Sequence, residues 1–334
     1  MYRISVLVPM YGVEKYITRC AESLFSQDYQ NVEFVFVNDC TPDKSVEVLC
    51  DVLDNYPERK PQVRIINHEK NRGSAAARNT LLDNATGEFV TWVDADDWLE
   101  KNAISLMVDR QIETNADIVT GWSYEVDNDG TRPFLQPTYQ TREEMLDNMW
   151  EHSFNHALWG RIIRKKLYDM ANNRCEEGVN QSEDFWMMLP VIYYSKHIAV
   201  VEEFVYYYNR ANETSQCFDL LLFGNTNRWK QDKRNHLKTV AFFSDKEEKF
   251  KQDANKSAIQ YLRRMLLYSV KCNDKLFFNE NLMQIKSEYV DYFEVIHFNN
   301  PLYRSFVSNY FLYSSFLQAR SFVWRKIVRP LLKH

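Results

Sequence analysis

Glycine is scarce in this chain, 8 of 334 residues, against an average near 7%. That excludes collagen-like, low-complexity and linker-rich sequences. It also disfavours the glycine-rich phosphate loop of a nucleotidyltransferase, because PMYGVEKY, after the first apolar run, holds a single glycine. Long apolar runs are missing as well. No segment reaches the roughly 18 consecutive apolar residues of a membrane span. The opening MYRISVLVPMYG is too short for a signal peptide and is broken by Pro9. None of the six cysteines (20, 40, 50, 175, 217 and 272) forms a C-x-x-C pair. With no leader expected ahead of them, they read as reduced thiols in a cytoplasmic protein. Finally, residues 295–334 contain no Asp or Glu but six Lys or Arg, so this tail carries +6 and the rest −11 of a net −5.

What is present begins with aromatics, 15% of the chain, and 45% hydrophobic residues, enough for a sizeable core in one large or two smaller domains. Four short runs rich in Val, Ile and Phe fill the first hundred residues: ISVLVPM, VEFVFVND, VRIIN and GEFVTWVD. Between them lie three helical patterns. VEKYITRCAESLF places Val13, Tyr16, Ile17, Cys20, Ala21, Leu24 and Phe25 on one face. TPDKSVEVLCDVL suggests Thr41 as N-cap and Pro42 at the first helical position. SAAARNTLLDNA is the third. Such alternation predicts βαβ units and a parallel sheet. Further on, ADIVTGWSYEV reads as a strand-pair region, EDFWMMLPVIYYS as a helix and AVVEEFVYYYNR as a strand. Charged amphipathic helices are expected over residues 225–294.

Ligands of open α/β sheets bind beyond the carboxyl ends of the strands. Here those ends are Pro9–Tyr11, Asn38–Asp39, Asn67 and Asp94–Asp97. The stretch FVTWVDADDW therefore delivers three carboxylates, Asp94, Asp96 and Asp97, to the ligand edge. Like charges at one spot raise each other's pKa, so a cation should accompany them. A D-x-D at a strand end suits Mg²⁺ or Mn²⁺, which take one or two carboxylates and complete their shell with substrate phosphates. Asp97 reads differently: with Glu100 three residues on, it matches a helix-capping pattern. A second acidic site, NQSEDFWMM, opens a helix. There Asp184 can take a proton from an acceptor hydroxyl, while Glu183 suits a first-turn acid favoured by the helix dipole. Asp39 also reads as an Asx turn, and Arg78 equally as a structural ion pair. His152 and His156 stand four apart with no third ligand evident, so they read as packed or surface histidines.

The ordered motifs ISVLVPMYG, VEFVFVNDCTPDKS, NRGSAAARN, VDADD and EDFW resemble the family two glycosyltransferases over about residues 4–215. The resemblance implies an inverting enzyme with a GT-A nucleotide-sugar-binding α/β fold, a mostly parallel sheet flanked by helices, followed by a C-terminal helical region. It implies that Pro9 and Tyr11 line the nucleotide pocket, that Asp39 accepts from the uracil of a UDP-sugar, and that Gly73 and Arg78 lie beside the nucleotide. It further implies that Asp94 approaches the ribose and diphosphate, that Asp96 with Asp94 holds Mn²⁺ or Mg²⁺, and that Asp184 is the catalytic base. Gly12, Asn38, Cys40, Leu81 and Arg161 depart from the usual pattern without removing a ligand.

The expected organisation is a GT-A domain over residues 1–218, a helical region over 219–294 and a basic aromatic tail over 295–334. The expected partners are a UDP-sugar donor and a glycan acceptor, the latter a lipid-linked surface polysaccharide precursor. Basic residues interleaved with Trp and Tyr suit the tail to an anionic membrane surface, placing a cytoplasmic protein on the inner membrane face; the alternative is helices that pack on the enzyme or on a second subunit. The acidic body argues against nucleic acid. The competing classes are a nucleotidyltransferase making nucleotide sugars and a non-catalytic glycan-binding module.

Overall fold

The computed structural model describes residues 2–135, 137, 139, 141–150, 156–212, 226–271 and 274–288. The chain divides into two compact units, Met1–Phe218 and Asp219–His334.

The first unit is built on one sheet. Its parallel half comprises β1 (Ile4–Met10), β2 (Val32–Asn38), β3 (Val63–Asn67) and β4 (Phe89–Trp92), in the order β3-β2-β1-β4. The connecting helices are α1 (Ile17–Phe25), α2 (Ser45–Leu53) and α3 (Ser74–Asn84). β1 and β2 are buried almost throughout, as strands covered on both faces must be. Successive side chains alternate between faces. Ile4, Val6, Val8, Phe34 and Phe36 thus share a core cluster with Ile17, Leu24 and Phe25 of α1, while α3 packs on β1 and β2 with Ala75, Ala76, Ala77, Leu81 and Leu82 buried. The register pairs Met10 with Asn38 and Asn38 with Asn67, so the strand ends finish side by side.

Beyond β4 the sheet becomes mixed. It continues through β8 (Arg161–Arg164), β6 (Ile118–Asp127) and β9 (Ile198–Asn209) to the two-residue β5 (Trp98–Leu99), and β7 (Gly130–Phe134) closes a hairpin on β6. β8 runs antiparallel to both β4 and β6, whereas β6 and β9 are parallel. The parallel character read from the first hundred residues thus belongs to half of the sheet. The helices of this half are α4 (Ala103–Thr114), α5 (Arg142–Trp150), α6 (Lys166–Met170) and α7 (Glu183–Tyr194).

One helix start differs from expectation. α2 begins at Ser45, not after Thr41. Thr41 and Asp43 are occupied in the loop: Thr41 Oγ1 accepts from Gly12 N–H at 2.9 Å, and Asp43 accepts from Thr41 Oγ1, Ser45 Oγ and Glu14 N–H at 2.6, 2.5 and 3.0 Å. These side chains tie the β2–α2 loop to the β1–α1 loop, and a helix starting at Thr41 would have to surrender those bonds.

The second unit contains α8 (Thr226–Phe243), α9 (Glu248–Lys271) and α10 (Lys275–Glu288), with α9 packed against both neighbours around Tyr261, Met265 and Phe277. Among the described residues no helix is long and apolar enough to cross a membrane. The tail 295–334 and His152 lie outside the described residues.

Candidate active site

The expected residues gather along the carboxyl edge of the parallel strands. Pro9 is half-buried near the end of β1, and Tyr11 just beyond it is 52% exposed, leaving its ring face available for stacking. Asp39, one residue past β2, is 3% exposed. Its carboxylate accepts from the His68 ring at 2.7 Å and from the N–H groups of Arg72 and Gly73 at 2.8 and 2.7 Å. Those contacts pull the loop between β3 and α3 onto the end of β2. Gly73 takes φ +86° there, and a Cβ on it would come within 2.4 Å of the Asn180 side chain, so both the backbone conformation and the space require glycine.

The two acidic clusters meet at Arg78. Its guanidinium is buried in α3 beneath the end of β4. Nη2 lies 3.2 Å from Asp94 Oδ1 and 3.4 Å from Asp184 Oδ1, and Nε lies 3.7 Å from Glu183 Oε1. Its carbon is 5.5 Å from the centre of the Trp92 ring. Burial pulls the Arg78 pKa down, but Asp184, Asp94 and Glu183 outweigh it and hold the value above the ordinary one. Arg78 is therefore an ion-pair hub that fixes the donor-side acid and the expected base on one cation. Nε and Nη1 of Arg78 and Oδ1 of Asp184 are buried without a hydrogen bond of good geometry, so the ion pairs carry their compensation.

One arginine does not neutralise this many carboxylates. Burial, and then Asp94, push Asp96 up to about 6. Burial raises Asp94 against the pull of Arg78. Burial, and then Asp184, push Glu183 up to about 7. Glu183 turns inward to accept from Ser74 Oγ at 2.8 Å, while the Asp184 side chain keeps 24% of its surface exposed. The geometry thus separates the pair into a buried supporting acid and an accessible one.

Asp97 is not a helix cap. Trp98 and Leu99 form β5 against β9, and α4 starts only at Ala103. The Asp97 carboxylate is buried and accepts from Tyr206 Oη at 2.6 Å and from Asn209 N–H at 2.7 Å. Burial, and then Asp96 and Asp94, raise its pKa well above the usual carboxylate range. Asn209 Nδ2 donates to the Asp96 carbonyl at 3.2 Å, and Asn212 Nδ2 to Asp96 Oδ2 at 2.7 Å. The end of β9 thus clamps the D-x-D turn. Tyr206, Asn209 and Asn212 went unnoticed in the sequence because they stand 109 to 116 residues from their partners. His68 carried a signal, since it directly follows a strand at the ligand edge, and Asn180 carried none.

Among the described residues no three His, Cys, Asp or Glu side chains close into a metal-holding group. The donor set still fits a hard divalent cation. Asp94 and Asp96 are two partly exposed carboxylates two residues apart at the strand end, and Mg²⁺ or Mn²⁺ takes one or two carboxylates and ordinarily completes its shell with substrate phosphates.

The chain is similar to known proteins in sequence and in fold. The chain is 30% identical over 220 residues to the uncharacterized glycosyltransferase EpsJ of Bacillus subtilis, a match covering 64% of this chain and 62% of that relative, less than two thirds of its length. Its fold is similar to that of S. aureus TarS 1-349 in complex with UDP-GlcNAc, with TM-score 0.66, 20% identity, and 87% of this chain and 83% of that chain covered. It is also similar to that of the mannosyltransferase PcManGT from Pyrobaculum calidifontis in complex with GDP-Man and Mn²⁺, with TM-score 0.56, 14% identity and coverage of 97% and 88%. The family model for glycosyl transferase family 2 matches residues 5–173, half of the chain. With that match, beside a strand-end acidic site of this geometry, the chain belongs to glycosyl transferase family 2.

Proposed function

We propose that this enzyme transfers one sugar, with inversion, from a UDP-sugar to a hydroxyl of a glycan acceptor, a lipid-linked precursor of a surface polysaccharide. The carrying observation is that Asp94 and Asp184 face the same Arg78 nitrogen at 3.2 and 3.4 Å. A donor-side carboxylate and an accessible proton acceptor thereby flank one reaction space. Membership of this family favours sugar transfer over nucleotidyl transfer and mere glycan binding.

In this reading Pro9 and Tyr11 sandwich the base, Asp39 receives its ring N–H, and Gly73 lets the backbone approach the nucleotide. Asp96 and Asp94 would hold Mn²⁺ or Mg²⁺, which, when bound, supplies positive charge to the departing diphosphate. The acceptor oxygen attacks the anomeric carbon from the side opposite the diphosphate. As the new C–O bond forms, Asp184 takes the hydroxyl proton, and the bond from the anomeric carbon to the UDP oxygen breaks. Arg78 holds Asp184 in place for that transfer. The TarS likeness with UDP-GlcNAc and the mannosyltransferase with Mn²⁺ support a nucleotide-sugar donor and a divalent cation. The lipid-linked acceptor and membrane contact rest on the +6 tail.

The test is calorimetry of UDP with Mn²⁺. Asp96→Ala should weaken binding by about 10-fold or more, the scale of one lost charge-assisted contact. Wild-type affinity in that variant would remove the metal assignment.

A further inference from the structure

Beneath Asp39 lies a chain of polar groups with no part in the transfer step. His68 directly follows β3, and its side chain is 5% exposed against 4% for Asp39. Nδ1 sits 2.7 Å from Asp39 Oδ1, and Nε2 sits 2.9 Å from Thr80 Oγ1 on α3. An ionised carboxylate only accepts, so Nδ1 donates to Asp39, while Nε2 shares the second hydrogen bond with the threonine hydroxyl. Both ends of the ring are satisfied.

The other bonds of Asp39 complete the count. Oδ1 also accepts from Arg72 N–H, and Oδ2 accepts from Gly73 N–H. A carboxylate offers about four lone-pair sites. The protein fills three and leaves one on Oδ2. Rotating the carboxylate would break three hydrogen bonds in a buried setting, so the remaining site has a fixed direction.

We infer that His68, backed by Thr80, is a positioning residue for donor specificity: it aims the last acceptor site of Asp39 at a ring N–H of the nucleobase, selecting uracil over cytosine. The inference rests on the nucleotide-sugar reading above. Uracil carries a hydrogen on N3. Cytosine presents a lone pair at that position, which would face an oxygen lone pair. Sugar and diphosphate are common to both nucleotides, so discrimination falls on the base edge at N3 and C4, where this contact lies. A site built around one buried polar partner rejects an analogue that leaves it unpaired far more strongly than shape alone can. Only a carboxylate that cannot turn away imposes that penalty, and His68 supplies the side-chain bond that, beside the Arg72 and Gly73 N–H groups, keeps it from turning.

The experiment is calorimetric titration of the full chain with UDP and with CDP, each in Mn²⁺. Wild type should prefer UDP by about 10-fold or more. His68→Phe keeps a ring and loses both hydrogen bonds. It should weaken UDP by about 10-fold, move CDP by less than about 3-fold and so collapse the preference. Thr80→Val removes only the far bond at nearly constant volume and should shift the UDP/CDP ratio in the same direction by less. It decides the matter if His68→Phe does not fold. Tight UDP binding with a wild-type UDP/CDP ratio in the folded variants would overturn the role of His68 alone. Equal binding of UDP and CDP by wild type would overturn it as well. Failure of wild type to bind either nucleotide would bring down the nucleotide-sugar reading itself.

Discussion

A buried carboxylate is tolerated only when its oxygens find donors, and Asp97 shows this at the scale of one residue. Its two oxygens take the Tyr206 hydroxyl and the Asn209 N–H, so it anchors β9 rather than starting a helix. Asp97→Ala strands both donors in the interior and should lower the unfolding free energy by about 1–3 kcal/mol, read from urea denaturation. A loss under about 0.5 kcal/mol would fit an exposed surface position and contradict this anchoring. The neighbouring carboxylates answer to different partners within four residues of chain: Asp94 to Arg78, Asp96 to Asn212 and Asp97 to β9.

At the scale of elements, the loop between β2 and α2 is held by Asp43. Burial would raise the Asp43 pKa, but hydrogen bonds from Ser45, Thr41 and Glu14 outweigh it and lower the value to about 2. The unfolded chain titrates near 3.9, so between these values the unfolded state binds more protons and stability rises with pH. The contribution of Asp43 is complete above about pH 4 and disappears as pH falls towards 2. The stability gap between wild type and Asp43→Asn should therefore be constant from pH 5 to 7 and shrink near pH 3. A gap independent of pH would assign the loop's stability to other contacts.

The elements that were legible in the sequence share a cause. β1 to β4 are buried runs bounded by turn residues, and α1 presents one apolar stripe, so local pattern suffices. The ligand edge followed from their order, and Asp94, Asp96, Asp39 and Gly73 stand along it. The start of α2 departs from the local pattern because Thr41 carries capping chemistry that the β1–α1 loop uses instead. β5 is two residues long and exists only because β9 arrives beside it a hundred residues later. The clamp of Asn209 and Asn212 on the acidic turn is equally non-local, and no window of sequence contains both sides of it.

At the scale of the whole molecule, charge is divided between an acidic body and a basic end. Residues 295–334 carry +6 and the remainder −11. Each Lys or Arg near an anionic bilayer contributes about 1 kcal/mol, screened by salt. Flotation with anionic vesicles should therefore recover the full chain at low salt and much less of it at high salt, and removal of residues 300–334 should abolish recovery. Equal recovery of full and truncated chains would move the contact elsewhere.

In the proposed mechanism two acidic sites, distant in sequence and joined at Arg78, divide donor binding from proton transfer. Asp184→Asn keeps the side-chain shape and removes the proton acceptor. The measurement is UDP release from saturating UDP-sugar with an acceptor that wild type glycosylates, beside calorimetric donor affinity for the same variant. Donor affinity should stay within about 3-fold of wild type, and kcat should fall by about 10²–10⁴-fold, the worth of a positioned base. Glu183→Gln, which alters the buried supporting acid, should cost much less. A kcat for Asp184→Asn within a few-fold of wild type would contradict the claim and return this carboxylate to the role of a helix-terminal acid.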